Sequence, residues 1–335
     1  MKGRHYTAAV IGCGAIGVGE EKYARAIRPA THAAAWGAHP RVRLVALVDP
    51  NVDCLRRGAR LNPAATCFKS AKKLFQTFVP DIVSVATPPE KHREMVELAT
   101  RAGVRAILCE NPIAATLADA SAMIAACRKS GTLLIVNHQR RFDELLQRSA
   151  RFVRGGGIGH VRQAVGFYYN GVFTNGTHIV DLMRMFLGEP VEVSGRYNKE
   201  TSWNPADKNI DGTLRFQNGT HAALLSLDRN YGLFSLDIIG ESGAVKISHL
   251  GFSVARAKKV KNGHFRGFYE LGPFRTKGRP RSFMSGSMAA VVRMLDKKVK
   301  PFATGDDARA TLRVLLALQT SAEGKKPFFL SNKDA

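Results

Sequence analysis

The stretch Ala9-Val10-Ile11-Gly12-Cys13-Gly14-Ala15-Ile16-Gly17 decides how the whole chain is read. A short apolar run, expected to be a buried strand, ends on glycines spaced G-x-G-x-x-G. The first glycine permits a tight turn, the second lets backbone approach a pyrophosphate, and the third lets the next helix pack on the strand. Backbone N–H groups of Gly14, Ala15, Ile16 and Gly17 at that helix start suit a phosphate. By itself the spacing also fits an ordinary glycine-rich turn, so the reading needs a second signal.

That signal lies at the end of the next strand, Val42–Val48, where Asp49 follows. A carboxylate there accepts hydrogen bonds from an adenosine ribose and repels a 2'-phosphate, which favours NAD over NADP. The competing reading is a helix-capping Asp before Pro50. The interval from the glycines is longer than the roughly 20 residues usual for this motif. Val18–Pro40 accounts for the excess as an enlarged loop followed by a resumed helix over Thr31–Trp36. Lys22 and His32 lie in this segment, either within reach of a ligand or in structural roles.

Strands and helices then alternate. Helices are expected at Lys69–Phe78, Glu90–Arg101 and Thr116–Ser130, and strands at Asp81–Ala86, Ala106–Cys109 and Leu133–Val136. This order implies a doubly wound parallel sheet with ligands beyond the carboxyl ends of the strands. Asp49, Thr87 with Pro88, Glu110 and Asn137 all fall on that edge. After Arg141 the pattern changes. A helix over Phe142–Val153, a strand over Val161–Tyr169 and a helix over His178–Leu187 precede successive hairpins, among them Asn218-Gly219. The fold class is therefore α/β, an N-terminal Rossmann domain over 1–136 and a C-terminal α+β domain over 137–335 with a largely antiparallel open sheet. Gly251–Met284, basic and rich in Gly, Pro and aromatics, reads as a long loop, and Ala308–Glu323 as the last sizeable helix.

Composition narrows the function. The 335 residues carry a formal net charge of +23. A nucleic-acid binder is one reading and an enzyme for anionic substrates another. The cations are spread through both halves without a recognition-helix or zinc-finger pattern, which argues against nucleic acid. No run reaches the roughly 18 apolar residues of a membrane span, and the first apolar run is too short for a signal peptide, so a cytoplasmic location is expected. Five scattered cysteines without C-x-x-C spacing suggest neither a disulfide framework nor a metal site.

Together, Gly12-x-Gly14-x-x-Gly17, Thr87-Pro88 with His92, Glu110-x-Pro112, Asn137-His138-x-Arg140-Arg141-Phe142 and Gly176-Thr177-His178 with Asp181 resemble the Gfo/Idh/MocA oxidoreductases over nearly the whole chain. The resemblance implies NAD as cofactor, no metal, and hydride transfer at a secondary alcohol or ketone of a sugar, sugar acid, nucleotide-sugar or cyclitol. It also implies a homodimer or homotetramer through the C-terminal sheet. The family's Glu-Lys-Pro lysine corresponds here to Asn111, and an aspartate common four residues before the family histidine corresponds to Thr174. Asn111 hydrogen-bonds but does not titrate, which leaves His178 as the expected acid–base group. Glu110 either orients the nicotinamide end of the cofactor or pairs with an arginine. His138, Arg140, Tyr169, Asn175 and Thr177 are expected around the substrate, with Tyr168 in reserve. Arg140 or Arg141 would clamp an anionic group or brace the domain junction. Two alternatives stay open: an enzyme that retains NAD through internal redox during epimerisation, elimination or glycoside cleavage, and a silent NAD- and sugar-binding homologue.

Overall fold

The computed structural model describes residues 4–19, 28–278 and 283–330. It divides into two units, Met1–Phe142 with Ser282–Arg309, and Asp143–Arg281 with Ala310–Ala335. Residues near 283–309, which the sequence reading put in the second domain, therefore belong to the first unit.

The first unit runs β1 (Tyr6–Ile11), α1 (His32–Gly37), β2 (Val42–Val48), α2 (Val52–Leu61), β3 (Thr66–Phe68), α3 (Ala71–Thr77), β4 (Ile82–Val85), α4 (Pro89–Ala102), β5 (Ala106–Cys109), α5 (Leu117–Ser130) and β6 (Leu133–Val136). Its six strands are parallel in the order β3-β2-β1-β4-β5-β6, the doubly wound arrangement expected. β1, β4 and β5 are buried almost throughout, without alternation, as strands covered on both faces are. The helix boundaries follow local chemistry. Ser70 and Thr116 accept backbone N–H bonds at the starts of α3 and α5, and Gly103 and Gly131 end α4 and α5 in the left-handed region.

α1 is spliced rather than continuous with the glycine turn. Val18 N–H and Gly19 N–H both donate to Gly14 O, closing one turn, and the helix resumes at Thr31. There His32 N–H donates to Ile16 O and Ala33 N–H to Gly17 O. Two donors that a helix start would leave orphaned are thus satisfied by the turn that precedes the insertion. Lys22, expected in this loop, lies outside the described residues.

The second unit begins with α6 (Glu144–Arg154), β7 (Val161–Tyr169) and α7 (Thr177–Leu187), then β8 (Pro190–Tyr197), β9 (Ile210–Phe216), β10 (His221–Leu227), β11 (Ser235–Gly240), β12 (Gly243–Ser248), β13 (Ser253–Lys261), β14 (Tyr269–Leu271) and β15 (Arg275–Gly278). After α8 (Phe283–Leu295) in the first unit and α9 (Gly305–Gly324), β16 (Phe328–Phe329) joins the same sheet. The order is β14-β13-β12-β11-β7-β10-β9-β8-β16, with β15 on β13. All pairs are antiparallel except β7 with β10. α7 lies tight on β7 at Gly166, where a Cβ would come within 2.5 Å of Ile179 and Met183 side-chain carbons.

Two expectations need correction. Gly251–Met284 is not a loop, since β13, β14 and β15 form hairpins within it. Its strands bury few side chains, mainly Val254 and Ala257, so Lys and Arg mask the alternation. The chain also forms α8, which the sequence reading omitted. Ser285, Gly286 and Ser287 interrupt its apolar run, yet Met284, Met288, Ala290, Val291 and Val292 join the core against Trp36, Leu44 and Ile135. Met288 is fully buried there. Met288→Ala should destabilise the first unit by about 2–5 kcal/mol, read as a lower denaturant midpoint with an unchanged slope.

Candidate functional site

In the first unit the strand ends form a cleft of about 430 Å³, lined among others by Gly12, Gly14, Asp49, Lys69, Thr87 and Lys91. The glycines are dictated by packing. Gly12 has φ +98°, and a Cβ there would stand 2.4 Å from Ala86 O; a Cβ on Gly17 would stand 2.0 Å from Gly12 O. Gly14 is different, since a Cβ there meets nothing within 4 Å. The protein itself does not require that glycine, whereas a ligand seated against the backbone would.

Asp49 is held by backbone N–H groups, Cys13 N donating to Oδ2 at 2.7 Å and Asn51 N to Oδ1 at 2.8 Å. The cap of α2 is Asn51, which accepts from Asp53 N and Cys54 N, so the helix-capping reading of Asp49 falls to its neighbour. Thr87 Oγ1 is buried with no hydrogen-bond partner among the described residues. An orphaned hydroxyl, an open Gly14 and a fixed carboxylate on one cleft fit a dinucleotide. Pro88 caps α4 and lines the same wall. Cys13 is a spectator: burial first, then Asp49, pushes its thiol up to about 12.

His92 is not turned to the cleft. Its Nδ1 faces Ile113 O at 3.0 Å and its Nε2 faces Thr87 O at 2.8 Å, so it ties the Thr87-Pro88 bend to the segment after β5. Burial lowers its pKa below the ordinary value, against the opposing pull of the two carbonyls and Glu110.

Glu110 sits in a buried polar cluster. Its Oε1 meets His32 Nε2 at 2.7 Å and accepts from Asn137 Nδ2 at 2.6 Å, while Oε2 accepts from Asn111 N at 3.2 Å and Asn111 Nδ2 at 3.3 Å. Asn111 Nδ2 also donates to Asn137 O at 3.0 Å. Ser84 Oγ lies 3.0 Å from His32 Nδ1 and accepts from Trp36 Nε1, and Ser287 Oγ donates to Asn137 Oδ1. The ionic partner of Glu110 is thus a histidine on α1, not the arginine of the second reading. His138 is buried and follows Asn137. Arg140 lies with its guanidinium 5.3 Å from the Phe283 ring centroid, and Arg141 donates to Asp307 Oδ1 at 3.4 Å.

In the second unit, residues 172–176 form one π-helical turn that runs into α7. Asp207 holds this turn: its Oδ1 accepts from Phe173 N, and its Oδ2 from Thr174 N at 2.8 Å and Thr174 Oγ1 at 2.6 Å. Thr174 is therefore exposed but engaged. Asn175 N donates to Gly171 O, and Thr177 is buried with Oγ1 unpartnered among the described residues. His178 is half-buried in the first turn of α7. Tyr169 ends β7 half-buried, whereas Tyr168 is fully buried, donates to Ile210 O and accepts from Ile210 N. Burial raises the Tyr168 pKa far above the phenol range, which removes it from the reserve of acids and bases. Asp181 is buried, accepting from Thr311 Oγ1 beside Arg184.

Sequence reasoning missed Asp207, Lys69 and Lys91. Lys69 follows the unrecognised strand β3, Lys91 lies two residues after Thr87-Pro88-Pro89, and Asp207 lies in a polar loop with no local signal. Among the described residues no group of three or more His, Cys, Asp or Glu is placed to hold a metal ion, and no helix is long and apolar enough to cross a membrane.

Comparison with known proteins agrees with this geometry. The model of an oxidoreductase family with an NAD-binding Rossmann fold matches residues 6–138, and that of the GFO/IDH/MocA C-terminal domain matches 161–246. The chain belongs to the Gfo/Idh/MocA family. It is similar to a D-apiose dehydrogenase of Paraburkholderia graminis, 29% identical over 59% of this chain and 54% of that protein. It is also similar to a 1,5-anhydro-D-fructose reductase of Ensifer adhaerens, 26% identical over 72% and 77%. The first of these matches thus spans about half of the relative's length. In fold it resembles the crystal structure of aldose-aldose oxidoreductase from Caulobacter crescentus complexed with glycerol, with a TM-score of 0.78 at 24% identity, covering 98% of this chain and 100% of the other.

The Glu110 cluster generates a pH dependence. Burial raises the Glu110 pKa, but hydrogen bonds from His32, Asn137 and Asn111 outweigh it, and the net direction is below the ordinary value. A depressed carboxylate contributes stability that is present above its unfolded pKa of about 4.3 and is lost as pH falls through the folded value. Melting temperature measured against pH should therefore drop on acidification in the native chain, and less steeply in Glu110→Gln.

Proposed function

We propose that the protein is an NAD-dependent oxidoreductase acting on a secondary alcohol or ketone of a sugar, sugar derivative or cyclitol. The observation that carries this reading is the first unit's cleft, lined by Gly14, which opens onto free space, by a fixed Asp49 and by Thr87, whose hydroxyl has no partner among the described residues. The relatives' names, a dehydrogenase and a reductase of sugars, support the substrate class.

Bound in that cleft, NAD would supply the hydride acceptor or donor. Asp49 would accept from ribose hydroxyls through lone pairs left over from its two backbone bonds, and the same charge disfavours a 2'-phosphate. The Gly14–Gly17 backbone would face the pyrophosphate, and the Thr87 hydroxyl would hydrogen-bond to the cofactor. Oxidation of an alcohol also needs a proton acceptor. His178 fills that role in this reading, an imidazole nitrogen holding the proton of the substrate hydroxyl, and Asn175 and Arg140 contribute hydrogen bonds to the substrate. Asn111, at the position where the resemblance expects lysine, orients rather than titrates. Its amide points to Glu110 and Asn137 O, and an ammonium at this site would meet the Glu110 carboxylate.

Purified protein supplied with NAD and a panel of sugars, sugar acids, nucleotide-sugars and cyclitols should form reduced nicotinamide, followed by its absorbance. His178→Gln should lower the chemical step by about a hundred- to ten-thousandfold while leaving NAD affinity in calorimetry unchanged. Turnover equal to the native chain would remove His178 from the mechanism.

The sheet of the second unit belongs to the same reading as a self-association surface. α7 covers the face of β7 that carries Gly166, while the opposite face presents Val165, Phe167, Leu225 and Ile239, with Leu225 and Ile239 exposed. Apolar side chains left exposed on one face of a sheet mark interfaces. Leu225→Lys should shift the sedimenting species toward the monomer; an unchanged distribution would place any interface elsewhere.

A further inference from the structure

The second unit also contains a basic cavity that this catalytic reading does not use. β13 reads Ser-Val-Ala-Arg-Ala-Lys-Lys-Val-Lys, and its neighbour β15 reads Arg-Thr-Lys-Gly. Their antiparallel register sets Arg256 directly opposite Arg275. Like charges opposite each other on neighbouring strands are destabilising unless something lies between them. The strand period brings Lys258 to the same face as Arg256. At the irregularity between Val254 and Ala255 the register slips, and Lys277 enters the same lining.

These four cations line a cavity of about 630 Å³ whose lining includes no Asp or Glu. Its apolar wall includes Phe152 and Val260. Gly157, another lining residue, lies against the Phe152 ring, where a Cβ would come within 2.3 Å of a ring carbon. Arg256 stands over that ring, its guanidinium carbon 3.8 Å from the centroid, and donates from Nη2 to Ser149 Oγ at 3.3 Å. Both partners are neutral, and Arg256 Nε is buried with no hydrogen-bond partner among the described residues. Glu241, beside the lining residue Ser242, is taken by Arg162 and by His160 N.

We propose that this cavity is a binding site for a small organic phosphate, its apolar body against Phe152 and Val260 and its dianion between Arg256, Lys258, Arg275 and Lys277. The volume lies in the range of about 300–1,000 Å³ typical of small-molecule sites. Paired guanidinium groups match the phosphate oxygens. A dianion also relieves the repulsion that the register of β13 and β15 builds in. Burial holds Arg256 below the usual arginine range, in keeping with a cation whose counter-charge comes from a ligand.

The test is titration calorimetry of the full chain with 1-naphthyl phosphate, in the presence and absence of NAD. Saturable binding that NAD leaves unchanged is expected. Arg275→Gln with Lys277→Gln, both at exposed positions, should weaken it by about tenfold or more, and Arg256→Met should do likewise. 1-Naphthol, which has the ring system without the anion, should show no saturable binding. Absence of binding, equal affinity in both variants, competition by NAD or equal binding of 1-naphthol would each overturn the assignment. None of these readouts requires turnover, so the site stands or falls apart from the proposed activity.

Discussion

The Glu110 carboxylate, buried where β5 ends, is the constraint on which the loop edge of the first unit depends. An ionised group in that position is tolerable only if its oxygens are filled. Four groups fill them, from His32 on α1, Asn137 at the end of β6, and the Asn111 backbone and side chain. The requirement extends outward. His32 must be held by Ser84, Ser84 also receives the Trp36 indole, and Asn137 must be held by Ser287 on α8. One carboxylate thus ties together the ends of β5 and β6, Ser84 of β4, the resumed helix α1 and, through Asn137, the helix α8, whose Ser287 lies 150 residues beyond Asn137. Such fully satisfied networks specify one arrangement because every partial version leaves a buried polar group unpaired.

Much of this fold was legible in the sequence because its signals are local. The Gly12, Gly14 and Gly17 spacing, the apolar runs and the Asn218-Gly219 turn each act within a few residues, and the parallel and antiparallel sheets follow them. What escaped was set by distant partners. α2 is mostly polar, buries only Leu55 and Gly58 and leaves Val52 and Leu61 exposed, so few apolar residues mark it. α8 looks interrupted until the core that surrounds it is known. β13 and β15 carry charge where inner strands carry apolar groups. At the site, the edge holding Asp49, Thr87, Glu110 and Asn137 follows from sheet topology alone. The pairing of Glu110 with His32 does not, because only folding brings α1 and β5 together.

The second unit shows how a helix start can be held from elsewhere. The turn before α7 contains Gly171, Asn175 and Gly176 but no acidic residue, and two of its N–H groups, those of Phe173 and Thr174, donate to Asp207 from the loop before β9. Asn209, two residues on, accepts from Gly171 N and donates to Thr201 O and Leu227 O. Tyr168 fixes the far side through Ile210. The loop before β9 is therefore a clamp on the start of α7.

The spliced helix α1 has a consequence for how this chain tolerates change in length. Because Ile16 and Gly17 accept directly from His32 and Ala33, the hydrogen bonds that define the joint lie on either side of the insertion and none depends on its length. Loop-closure entropy grows only slowly with length, by about 0.6 kcal/mol per doubling. The glycine turn and the resumed helix form a fixed seam beside the cofactor cleft, from which a segment of variable size can emerge. A lineage or an engineer could lengthen, shorten or exchange that segment while the sheet keeps its register.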